Sequence, residues 1–215
     1  MSDPQRPLLE VFFDCSSPWT YLGCHNIQSV AERLGIDIAW RPIIVGGVFN
    51  KVNFGIYAMR DNPVPVKHAY TVKDMQDWAR RSGIIINMPP KCGHPVNAVK
   101  CMRACIVMQE RGKMLEFATL AFRALWEDGL DLKLDEVLSP LIAAVGEDPA
   151  EILAEIATPR IKQALWDNTN ELMERGGFGS PTYFVDGDDM YFGNDRVLLV
   201  EEALQRKLDM RESIA

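Results

Sequence analysis

Residues 8–14, Leu-Leu-Glu-Val-Phe-Phe-Asp, form a nearly unbroken apolar run that reads as a buried strand, and three residues later Ser17-Pro18 opens a helical pattern. That pattern covers 18–34 and stops at Gly35, with Tyr21, Leu22, Ile27, Val30 and Leu34 able to form one stripe. Ile36–Trp40 then alternates, and Pro42 closes it as a second strand. A strand, a helix and a strand so closely spaced make a β-α-β unit, with parallel strands and a right-handed crossover. Helical periodicity follows over 71–82, 97–111 and 113–127, and Asp148-Pro149 and Thr158-Pro159 each read as an N-cap with proline at the first helical position. Strand character returns only at Pro181–Asp186, where Gly187–Asp189 reads as a turn to an antiparallel partner at Met190–Phe192. A closing helix runs from Asp195 to about Leu208, so the order is βαβ, a helical insertion, then ββα.

With 215 residues, 47% of them apolar, the chain can bury a substantial core as one large domain or as a domain carrying an insertion. No apolar run approaches the ~20 residues of a membrane span, and the start MSDPQRP has no apolar core of a signal peptide, so a soluble cytoplasmic protein is expected. The five cysteines, at 15, 24, 92, 101 and 105, include no CxxC and are expected to stay reduced. A net charge of −7 argues against a general nucleic-acid binder. Residues 60–113 nevertheless carry ten Lys or Arg against four Asp or Glu, which suits either solvated helix faces or a basic segment that draws a small carboxylate toward a site.

Ser17 has two readings. Serine followed by proline is an ordinary N-cap. The same position, at the electropositive end of a helix whose first N–H groups have no internal partners, also stabilises an anion such as a thiolate.

The segments FDCSSPWTYLG, GGVF, YTVKDMQDWA, GFGSPTYFVDG and FGNDR closely resemble the 2-hydroxychromene-2-carboxylate isomerase family, which is grouped with the kappa-class glutathione transferases. The resemblance implies an α/β, thioredoxin-like fold of the DsbA type with an inserted all-helical domain. Residues 1–46 and 177–215 would form the thioredoxin-like part and 47–176 the insertion, whose last helix (about 159–176) can pack with the thioredoxin-like part. In this fold the first helix of the redox enzymes opens with CxxC, and here that tetrad is Ser17-Pro-Trp-Thr20. Disulfide exchange needs an attacking thiolate and a resolving thiol, so this turn cannot perform it. Cys15 lies two residues too early and reads as a small buried hydrophobe in the last part of the strand.

The resemblance further implies that Ser17 activates the thiol of glutathione, the expected cofactor. Ser180-Pro181 corresponds to a cis-proline turn whose free backbone groups pair with the cysteinyl part, although proline is also tolerated at a plain strand entry. Asn194 and Asp195, equally readable as a helix cap, correspond to the pair that grips the γ-glutamyl group. Lys67 matches a position near glutathione, and Asn62 and Asn97 match positions near substrate, Asn97 also being a candidate N-cap. Arg41, at the end of the second strand, is a candidate for the acidic substrate. The expected activity is glutathione-dependent cis-trans isomerisation of a ring-opened aromatic carboxylate. A kappa-like transferase or peroxidase, and a noncatalytic thioredoxin-fold binder, are the alternatives. A homodimer is expected, with no nucleic-acid or membrane partner. No metal is expected either: Cys92, His94, Cys101 and Cys105 offer zinc ligands, but Ala98, Met102 and Met108 share the cysteines' helix face and favour a core stripe.

Overall fold

The computed structural model describes residues 6–213. Strand β1 (Leu9–Phe13), helix α1 (Pro18–Leu34) and β2 (Ile38–Pro42) form the opening unit. Seven helices follow: α2 (Val45–Val52), α3 (Gly55–Asp61), α4 (Pro65–Ser82), α5 (Val99–Glu110), α6 (Met114–Trp126), α7 (Asp135–Ala144) and α8 (Pro149–Glu155). Helix α9 (Pro159–Glu174) leads to β3 (Thr182–Val185), β4 (Asp189–Phe192), a 3₁₀ turn (Asn194–Arg196) and α10 (Val197–Glu212). Among the described residues no helix is long and apolar enough to cross a membrane.

The sheet has the order β2-β1-β3-β4, with β1 and β2 parallel and the other pairs antiparallel. Alternation along the strands divides the side chains between two faces. Leu9, Val11, Phe13, Trp40, Tyr183 and Val185 face the larger apolar cluster, which also takes in Leu22 and Ile27 of α1, Met102 of α5 and Phe117 and Trp126 of α6. Phe12 and Phe184 face the other way, against Ile43, Val48 and Leu172. Helix α9 serves both clusters, through Ile161 and Leu165 in the first and Leu172 in the second. The helical insertion therefore shares its core with the sheet.

The three Ser/Thr/Asp-Pro helix starts form as read. Ser17 accepts from Thr20 N at 3.2 Å, Asp148 from Ala150 N and Glu151 N at 2.8 and 3.0 Å, and Thr158 from Ile161 N at 3.5 Å. Gly35 ends α1 at φ 63°, a conformation that favours glycine. Other boundaries move. Strand β2 lies two residues further on than the alternation suggests, because its register sets Phe13 against Pro42. Cys15 is in the turn after β1 and not in the strand. Helix α4 begins at Pro65, six residues before the expected start. Helix α5 begins at Val99 and not at Asn97, whose side chain instead accepts from Val99 N at 3.1 Å. Helices α2, α3 and α7 had no clear signal: α2 contains Gly46-Gly47, α3 buries no residue, and α7 has Pro140 inside it.

One close approach locks α1 to the sheet. A Cβ on Gly23 would stand 2.3 Å from the Tyr183 hydroxyl and 2.7 Å from Cγ of Pro181. Gly23→Ala is expected to destabilise the chain by about 1–3 kcal/mol, the usual cost of overpacking a rigid contact. Urea unfolding checks it; an unchanged midpoint would mean that α1 slides freely on the proline.

Candidate active site

The turn between β1 and α1 is held by Asp14. Its buried carboxylate accepts from Ser16 N at 2.9 Å and Val45 N at 2.8 Å, while its carbonyl accepts from Ser17 N at 3.2 Å. Burial pushes its pKa up, and the N–H donors from Val45 and Ser16 oppose that rise. Trp126 of α6 donates to the Cys15 carbonyl at 3.0 Å, so the insertion also fixes the turn.

Ser17 is half-buried in extended conformation, at φ −107° and ψ 122°. Its Oγ is the acceptor in the bond with Thr20 N, which leaves its own proton available to donate. Pro18 has no N–H, and among the described residues Trp19 N–H has no hydrogen-bond partner. The helix thus begins with two unused donors, one hydroxyl and one amide, at its electropositive end.

A line of contacts runs from Ser17 through the other matched positions. Thr20 Oγ1 lies 2.8 Å from Ser180 Oγ, which also accepts from Asp14 N at 3.1 Å. The Ser180–Pro181 peptide is cis. Ser180 lies outside the β3 pairing, which begins with Thr182 against Phe12. The Pro181 carbonyl accepts from Gly193 N at 3.0 Å, which brings the start of the 3₁₀ turn to the proline. Asn194 follows, 6% exposed, and its Nδ2 has no partner among the described residues. Asp195 is exposed and pairs with Arg196. Tyr183, against Gly23, is fully buried, and its hydroxyl has no partner among the described residues; burial, then Cys24 and the Asp195 charge, push its pKa well up. The structure therefore joins Ser17, Ser180, Pro181, Asn194 and Asp195.

The remaining candidates lie outside that line. Arg41 stands opposite Phe12 in the register and shares its face of the sheet, where it pairs with Glu171 of α9 and approaches Glu10 at 3.7 Å. Arg175 closes the same cluster on Glu10 and Glu171 at 2.7 and 3.0 Å. These ion pairs hold Arg41 under α9, on the face of the sheet that carries Phe12. Asn62 ends α3, Lys67 lies in the first turn of α4 and Asn97 precedes α5; all three are exposed. None is tied to the Ser17 line by a hydrogen bond or ion pair among the described residues.

Much of the basic excess of the middle segment is used locally. Lys73 and Arg80 pair with Asp77, Lys100 with Asp135, Arg111 with Glu147, Glu151 and Glu155, and Lys113 with Glu147. Among the described residues, Arg60 and Lys67 form no ion pair, and Arg60 lies close enough to His94 to help burial lower its pKa. A cavity of about 390 Å³ opens along the middle of α1, lined by Tyr21, Cys24, His25 and Gln28 against Trp40 and Phe122. It includes none of the residues matched for glutathione or substrate.

Sequence reasoning missed Asp14, Thr20, Tyr183 and Trp126, which position the site. Only Asp14 had a local signal, an aspartate at the end of an apolar strand two residues before the first of a pair of serines.

A mixed sheet built as βαβ and ββα, with a cis-proline set against the first turn of α1 and no cysteine at either end of the Ser17–Thr20 tetrad, defines a thioredoxin-like protein without the redox pair. The chain belongs to the family of DSBA-like thioredoxin domains, whose profile matches residues 8–205. It is 25% identical over 199 residues to 2-hydroxychromene-2-carboxylate isomerase of Pseudomonas putida, covering 93% of this chain and 95% of that one. It is 27% identical to glutathione S-transferase kappa 1 of Rattus norvegicus, covering 95% and 93%. A solved 2-hydroxychromene-2-carboxylate isomerase matches its fold with a TM-score of 0.81 at 23% identity, over 97% of this chain and 99% of that chain. The cytosolic disulfide reductase DsbM of Pseudomonas aeruginosa, solved with GSH, matches with a TM-score of 0.64 at 15% identity, over 96% and 99%.

Proposed function

We propose that this chain is a glutathione-dependent cis-trans isomerase acting on 2-hydroxychromene-2-carboxylate or a related intermediate of aromatic catabolism. The observation that carries the reading is the Ser17 hydroxyl, which accepts from Thr20 N–H and so keeps its proton to donate at a helix start whose Trp19 N–H is also unused. The names of the relatives support the same reading.

The residues present fit glutathione. Asn194 offers a buried, unpartnered Nδ2, a group that costs about 1–3 kcal/mol to leave unmet. Asp195 suits an ammonium, and the backbone of Ser180, outside the sheet ladder, can pair with a peptide. When bound, glutathione would supply a sulfur nucleophile that adds to a conjugated carbon and leaves again, so that it is a catalyst and is not consumed. Ser17 and Trp19 N–H would hold the sulfur in its anionic form. Arg60 and Lys67, without acidic partners, would attract the substrate carboxylate and offset negative charge that develops on it.

Isomerisation of the chromene carboxylate is expected to require glutathione, and Asn194→Ala is expected to weaken glutathione binding roughly tenfold, by the loss of one buried polar contact. Calorimetric binding and a spectrophotometric assay with and without glutathione check both. Turnover without glutathione would sink the mechanism. Stoichiometric consumption of glutathione with an electrophile would favour a kappa-like transferase, and binding without turnover a noncatalytic protein.

A further inference from the structure

Behind the Ser17 turn, three thiols that the proposed reaction does not use come together. Cys15, Cys101 and Cys105 are each 0% exposed, and their sulfurs all lie within 4.8 Å of one another. Cys15 comes from the turn after β1; the other two come from successive turns of α5, on one face. The grouping differs from the one that spacing along the chain suggests. Cys92 is half-buried with its thiol on the Gly93 carbonyl at 3.8 Å, and neither Cys92 nor His94 belongs to the cluster.

Sulfurs bound at ~2.3 Å from a common ion stand roughly 4 Å apart in a trigonal arrangement. Shifts of less than about 1 Å would therefore close the cluster on an ion. The surrounding donors decide which ion. The Met102 thioether is fully buried beside the cluster and accepts from Cys15 N at 3.2 Å. The hard donor nearby, the Asp14 carboxylate, is already engaged by Ser16 and Val45. Structural zinc is almost always bound by four ligands from thiolate, imidazole and carboxylate, and this set is one short. Soft thiolate and thioether donors suit copper(I), zinc and iron–sulfur clusters; iron–sulfur clusters are held by four cysteines, which leaves copper(I) for three.

We propose that Cys15, Cys101 and Cys105 form a buried three-sulfur site for copper(I), and that the ion ties α5 of the insertion to the turn that carries Ser17. Each thiol that becomes a ligand releases its proton to solvent. The proposal stands apart from the glutathione reading, since it concerns different side chains and a different ligand.

The test titrates the reduced full-length chain, free of glutathione, with copper(I) under anaerobic conditions against a copper(I)-specific chelator. One ion per chain is expected to be retained, with an ultraviolet thiolate-to-copper charge-transfer band. Cys101→Ser is expected to lower the affinity at least about 100-fold, beyond the range for losing an outer-shell partner. Cys92→Ser should leave it unchanged. A serine in the core can unfold the chain, so X-ray absorption of the copper-loaded wild type is the second measurement, with a shell of sulfur alone expected. Nitrogen or oxygen ligands, loss of binding in Cys92→Ser, or tighter retention of zinc(II) than of copper(I) would each overturn the assignment.

Discussion

Trp126→Ala is expected to destabilise the chain by about 3–5 kcal/mol, the range found when a large aromatic is cut from a core. Trp126 is fully buried, at the end of α6, and packs in the cluster shared by the sheet and the insertion. Two losses combine. The cavity removes dispersion contacts that neighbours recover only partly, and the Cys15 carbonyl loses its donor at 3.0 Å. Against a total stability of roughly 5–15 kcal/mol, such a loss leaves the fold marginal. Trp126→Phe separates the terms, because it keeps most of the packing and removes the N–H, at an expected cost of about 1–3 kcal/mol. Urea denaturation of the three proteins measures both; equal losses in the two variants would mean that the hydrogen bond, and not the indole volume, holds the turn.

How far these features are legible in the sequence depends on the range of the interactions that create them. The N-caps at Ser17, Asp148 and Thr158 are local, a side-chain oxygen and a proline within a few residues, and they form where the sequence places them. The βαβ and ββα units follow from strand spacing and chirality, again near-neighbour effects. Helix α3 escapes because Phe54, Tyr57 and Met59 are exposed around it, so its apolar residues mark no core stripe. The ion pair of Arg41 is not legible locally because its partner Glu171 is 130 residues away on α9, and only the folded sheet shows which face Arg41 shares with Phe12. The meeting of Cys15 with Cys101 and Cys105 has the same origin: α5 must pack against the turn after β1 before the three thiols become neighbours.

Ser17→Ala is expected to lower turnover by about 100-fold, the lower end of what one donor to a developing anion contributes in a water-poor site. The effect on stability should be small by comparison, about 1 kcal/mol for a lost N-cap. Those two numbers can be told apart because the hydroxyl does two things with different atoms: its oxygen accepts from Thr20 N, and its proton is left for a ligand. Ser17→Asp makes the separation sharper. Aspartate caps a helix as well as serine, so folding should be preserved. It carries no proton to donate at neutral pH and places a negative charge beside the sulfur, so turnover should fall at least as far as in the alanine variant. The thiol pKa of bound glutathione, followed by ultraviolet titration, should rise in both variants toward the free value of about 8.5. Ser17→Thr, which keeps both the cap and the proton, should restore most of the rate. If alanine and aspartate both left the thiol pKa where it stands in the wild type, Ser17 would be a helix cap and nothing more.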